Sequence, residues 1–153
     1  MNHEQTISDF LAENVYFPVS VVGLSMYPML LPGDMLLFVR PTHPIQRNSI
    51  VLYCRADHYV VHRLLFVGRR HCIINGDNSV YLERDIRYED IIAVLSGYWR
   101  NNTYFDCNSA EAQRFARRAA FSRPKRLLKG VLRINDRQMQ SAECTVFVHK
   151  KND

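Results

Sequence analysis

The stretch Val21 to Phe38 reads VVGLSMYPMLLPGDMLLF and is the most apolar part of a 153-residue chain. It cannot be an uninterrupted helix. Pro28 and Pro32 lack the N–H that a helix interior needs, and Gly33-Asp34 is a turn pair. Two β-type runs, VSVVGL and MLLFVR, therefore flank a bent segment that holds Ser25. A hydroxyl buried without a partner is costly, and a serine adds little to a core. Either Ser25 bonds its own backbone in a turn, or the bend exists to present it.

The same rhythm continues from Pro18 to Trp99. SIVLYC, YVVHRLLFVG, HCIING and IIAVLSGYW follow one another, separated by Ala56-Asp57, Gly68 and Gly76-Asp77. Many short strands at such spacing point to a mostly β fold, a coiled sheet or partial barrel. Residues 6–15 read as a short amphipathic helix, with Ile7, Phe10, Leu11 and Val15 near one face. After Trp99, NNTYFDCNS reads as a loop. SAEAQRFARRAAF reads as a helix, capped by Ser109, with Glu111 in its first turn and Arg117 and Arg118 near its end. Pro124 breaks it before a second basic helical run, KRLLKGVLRI, and CTVFVHK reads as a last strand. The expected division is an N-terminal helix (1–17), a β domain (18–100) and a basic, partly helical extension (101–153).

With 47% hydrophobic residues, the chain has enough apolar surface for a real core and is not a disordered segment. The net charge of +5 is modest, and much of it is concentrated in residues 114–137. That run lacks interleaved aromatic residues, so specific nucleic-acid binding is not expected. The run reads either as a solvated helical face or as a contact for anionic lipid, met peripherally, for nucleic acid without sequence specificity, or for an acidic precursor peptide. Cys54, Cys72, Cys107 and Cys144 are irregularly spaced without a C-x-x-C pair, so free thiols are expected, with no metal and no cofactor. No run reaches the roughly 18 apolar residues of a transmembrane helix. The first residues lack a basic lead-in and apolar block, so a cytoplasmic protein is expected.

Peptide hydrolysis needs a nucleophile, a base within hydrogen-bond reach and donors for the oxyanion. Gly23 permits a tight backbone path just before Ser25, and Pro28 restricts the chain just after it. Backbone N–H groups at such a bend can converge on one oxygen. Among the histidines, His43 and His58 fall at loop or turn positions, and His71 opens a strand with no motif around it. His62 lies within a strand run. All four lysines (Lys125, Lys129, Lys150, Lys151) lie outside the β region, so a lysine base would have to come from the basic tail.

These residues fall in a known order. GLSMYPMLLPGDMLLF resembles the nucleophile box of the signal peptidase I and SOS-repressor peptidase superfamily, G-x-S-M-x-P-x-L-x-x-G-D. Gly23, Ser25, Met26, Pro28, Leu30, Gly33 and Asp34 match it. YVVHRLLFVG resembles the base-bearing strand, INGDNS the later G-D-N box (Gly76, Asp77, Asn78), and IIAVLSGYW the strand that closes the fold. The resemblance spans residues 18–100 and implies a serine endopeptidase acting on a peptide or precursor protein. It makes Ser25 the nucleophile. It also makes His62, before Arg63, the base, as in the archaeal and endoplasmic-reticulum type; other members use lysine there. An imidazole titrates near ~6.5 and accepts a proton at neutral pH. Asp77 is the first candidate to orient His62, with the turn aspartate that bonds backbone amides as its alternative; Asp85 is the second candidate. Asp34 is expected to hold the turn after the serine segment.

Gly23 stands where many signal peptidases carry a hydroxyl, which leaves the Ser25 N–H with more of the oxyanion. Met26 and Pro28 complete the expected oxyanion and substrate-binding set. The other reading is a module that keeps the fold, binds peptides in an apolar cleft or regulates a partner, and does not cut them. A self-cleaving repressor would need a DNA-binding domain, for which the residues before Pro18 are too few.

Overall fold

A computed structural model describes residues 16–55, 58–118 and 145–147. Nine strands are present among them: β1 Tyr16–Val22, β2 Met35–Val39, β3 Ile50–Arg55, β4 His58–Val67, β5 His71–Asn75, β6 Glu83–Arg87, β7 Ile91–Arg100, β8 Thr103–Asp106 and β9 Thr145–Phe147. They form one antiparallel sheet in the order β3-β7-β2-β1-β9-β4-β5-β6, with β8 beside β7. β3 also pairs with β4 along its whole length, from Ile50 opposite Arg63 to Arg55 opposite His58. The sheet is therefore strongly coiled, as the strand rhythm implied. Between β9 and β4 a single residue pair, Thr145 with Val60, makes the join.

Coiling gives the strands two buried faces. On β3, Ile50 and Leu52 join a cluster with Val19, Met26, Leu36 and Leu95, while Val51 and Tyr53 join another with Val60, Leu64 and Ile74. That is why SIVLYC is a continuous apolar run rather than an alternating one. On β4, Val60 and Leu64 share the second cluster, and His62 lies between them on the same face by the period of two.

Two segments depart from the expectation. NNTYFDCNS is not all loop, because β8 runs through its middle as the second arm of a hairpin with β7. Arg100 pairs with Thr103 across Asn101-Asn102, both at positive φ (48° and 63°). Asparagine tolerates this conformation, and a pair of such residues makes the tight turn that matches strand twist. Residues 83–87 form β6, paired with β5, although ERDIR carries no apolar alternation. A helix follows at 110–118, where the Ser109 Oγ accepts the Ala112 N–H at 3.2 Å as expected of a cap. Cys54, Cys72 and Cys107 are free thiols, and burial pushes the Cys107 thiol up to about 12. The expected helix over 6–15, the KRLLKGVLRI run and Cys144 lie outside the described residues. Among the described residues, no helix is long and apolar enough to cross a membrane.

Candidate active site

Ser25 lies in the connection between β1 and β2, which is anchored from both sides. Gly23 turns the chain at φ 95°, a conformation open to glycine. Met26 and Leu30 are fully buried, and the Leu30 N–H donates to the Met26 carbonyl at 3.0 Å, so one helical turn plugs its apolar side into the core. Asp34 closes the segment. Its carboxylate accepts the Leu31 N–H at 2.8 Å and takes a two-pronged ion pair from Arg100 at 2.8 and 2.6 Å. Arg100 also donates to the Met29 carbonyl, and the pairing with Asp34 raises its pKa. Asp34 is thus the turn holder that the sequence suggested.

The G-D-N box, which follows β5, grips the same segment. The Asn78 N–H donates to the Ser25 carbonyl at 2.7 Å, and its side-chain amide donates to the Leu24 carbonyl at 3.2 Å. Gly76 passes so close that a Cβ there would lie 2.6 Å from the Ser25 carbonyl oxygen and 3.1 Å from His62 Nε2. Only glycine lets β5 end against both residues.

His62 meets Ser25 in this packed space, with Nε2 2.9 Å from Ser25 Oγ. Both residues are nearly inaccessible, at 2% and 3% exposure. The other ring nitrogen, Nδ1, lies 2.7 Å from Glu83 Oε1. Tyr53, fully buried on β3, donates its hydroxyl to the same Glu83 oxygen at 2.6 Å, and Arg55 donates to the other at 3.2 Å. Burial alone would raise the Glu83 pKa. The hydrogen bonds from His62 and Tyr53, with the nearby His62 and Arg55 charges, outweigh it and hold the carboxyl below its ordinary value.

The carboxylate on His62 is thus Glu83, not the expected Asp77 or Asp85. Asp77 is buried and spends both oxygens on Arg63, at 2.8 and 2.5 Å. Arg63 also donates to the Asn48 carbonyl. The aspartate of the box therefore neutralises the buried arginine next to His62 rather than orienting the imidazole. Asp85 is exposed on β6. The remaining expected residues divide similarly. Met26 buries its side chain in the core, so only its backbone can face a substrate. Pro28 is exposed and, with Met29, Tyr98, Phe105 and Phe115, lines a cavity of about 240 Å³ beside the serine segment. Glu83 was the nearest carboxylate after the box, two residues before Asp85. Nothing in its neighbours marked it, because its position depends on a strand without apolar alternation. No cluster of three or more metal-ligating side chains occurs among the described residues.

No curated protein and no solved structure matches the chain. A family model does, described as Peptidase S24-like, over residues 2–96. It covers more than half of the chain and takes in Ser25, His62, Glu83 and the G-D-N box. The chain belongs to the Peptidase S24-like family, in the serine peptidase superfamily of signal peptidase I and the SOS repressors.

Proposed function

We propose that this protein is a serine endopeptidase that uses Ser25 as nucleophile, His62 as general base and Glu83 as the residue that orients and charge-balances His62. One observation carries the reading: contacts run without a break from Ser25 Oγ to His62 Nε2, and from His62 Nδ1 to Glu83 Oε1. With its proton on Nδ1, the imidazole donates to Glu83 and presents a bare Nε2 to the serine hydroxyl. As Ser25 attacks a peptide carbonyl, Nε2 takes the hydroxyl proton, and the Glu83 carboxylate stabilises the imidazolium. His62 then returns the proton to the leaving amine. The acyl group stays on Ser25 until a water molecule, deprotonated by His62, releases it. Backbone N–H groups at the Gly23–Ser25 bend would stabilise the oxyanion, since position 23 offers no hydroxyl. The substrate is an extended peptide segment of a precursor protein, and the site of action is the cytoplasm or its membrane face.

The second reading, a peptide-binding or regulatory module without turnover, is favoured by the burial of Ser25 and His62. The test is reaction with a fluorophosphonate, read by intact mass and peptide mapping, beside incubation with a diverse peptide library and mapping of new termini. The peptidase reading expects one adduct, on Ser25, and new termini that vanish in Ser25→Ala and His62→Ala. A folded wild-type protein with neither adduct nor cleavage would favour the binding module.

A further inference from the structure

We propose that Tyr53 is a positioning residue of this site: its hydroxyl locks the Glu83 carboxylate onto the Nδ1 side of His62 and thereby fixes the imidazole tautomer. The inference rests on the reading of Ser25 and His62 as a catalytic pair. Strand order gives such a lock a role. Glu83 stands at the start of β6, and β5 lies between β6 and the His62-bearing strand β4. Glu83 is paired with Ile74 and Ile74 with Leu64, so no direct backbone pairing holds the Glu83 carboxylate to His62. Tyr53 comes from β3, on the opposite side of β4, so its bond to Glu83 joins the two flanks across the histidine.

Proton bookkeeping follows from the distances. The Tyr53 hydroxyl, Glu83 Oε1 and His62 Nδ1 form a triangle with edges of 2.6, 2.7 and 3.1 Å. The phenol has one proton, and its short bond directs it to the carboxylate. A bare Nδ1 would then face a carboxylate lone pair at 2.7 Å, which is repulsive. The favourable state has both Tyr53 and Nδ1 donating to Oε1, which leaves Nε2 unprotonated and open to the Ser25 hydroxyl. Arg55 holds the other oxygen, but its side chain is 49% exposed and the pair is screened by solvent. Tyr53, by contrast, is fully buried.

The decisive variant is Tyr53→Phe, which keeps the ring and its packing and removes only the hydroxyl. Two readouts are taken on the full chain, with folding checked by thermal melting. The first is the ¹⁵N shift pair of His62 at a pH where the ring is neutral, which reports the tautomer without any need for turnover. We expect a single Nδ1–H tautomer in the wild type and a mixture in the variant. The second is Ser25-dependent cleavage, with kcat expected to fall about 10- to 100-fold at little change in KM. Adding Glu83→Gln to Tyr53→Phe should cost no more than Glu83→Gln alone. An unchanged tautomer in Tyr53→Phe, or rate losses that multiply in the double variant, would overturn the inference. A shifted tautomer in a protein that cleaves nothing would retain Tyr53 as the positioning group and remove the peptidase reading. Cleavage that depends on Ser25 but is indifferent to Tyr53→Phe would do the reverse.

Discussion

Two acidic residues within seven positions of each other do opposite jobs, and burial with partner decides which. Asp77 and Arg63 are both almost completely buried, with side chains 1% and 3% exposed. Removing one partner strands a charge away from water. Asp77→Ala is therefore expected to lower the unfolding free energy by about 3–5 kcal/mol in urea denaturation. Glu83→Gln keeps the shape of the side chain but can offer an N–H where His62 needs an acceptor. It should leave a folded protein whose kcat is reduced on the order of 10⁴-fold, as expected when the wrong tautomer is favoured. If Asp77→Ala were stable and inactive while Glu83→Gln remained active, the assignment of the two carboxylates would be reversed. Ser25 and His62 were legible because each sits inside a box that resembles the peptidase superfamily's. Glu83 was not, because it reaches His62 only through the folding of a strand two places away in the sheet.

At the level of elements, the β1–β2 connection and the G-D-N box act as one unit. Gly76 is where they touch. A methyl group there would lie 2.6 Å from a backbone oxygen, Ser25 O, which cannot swing aside as a flexible side chain would. The serine and the imidazole would have to separate. Gly76→Ala is expected to slow the attack of Ser25 on a fluorophosphonate, with loss of fluoride, by roughly 100-fold, as misplacements of about 1 Å do, with a smaller effect on global stability. Stopped-flow reaction with the fluorophosphonate measures it, and an unchanged rate would show that the close approach is unimportant. Most strands were readable from their apolar runs. The β7–β8 hairpin was missed because Asn101-Asn102 is a weaker turn signal than a glycine-containing pair. β6 was missed because only Ile86 interrupts its polar residues.

For the whole molecule, the lowered Glu83 pKa ties stability to acid. A carboxylate whose folded pKa lies below its unfolded value of about 4.3 contributes fully above that value. The contribution shrinks as pH falls below it and is gone once the folded group is itself protonated. Urea denaturation at pH 5, 4 and 3, where the carboxylate itself titrates, should show a stability difference between wild type and Glu83→Gln that is largest at about pH 5 and narrows below it. A difference that stays constant over that range would contradict the assignment.

By itself the sequence determined the mostly β class, most strand runs of the coiled sheet and the bend that carries Ser25, which rest on short-range causes: proline and glycine geometry and the period of apolar residues. His62 was singled out by the order of the boxes and their resemblance to the peptidase superfamily. Only the tertiary structure decided which acid faces His62, that Asp77 belongs to Arg63, and that Tyr53 joins Glu83 to the histidine. Those contacts link β3, β4, β6 and the turn that follows β5. In a coiled sheet, the meeting of side chains from separate strands depends on register and curvature, and no local run of residues encodes either.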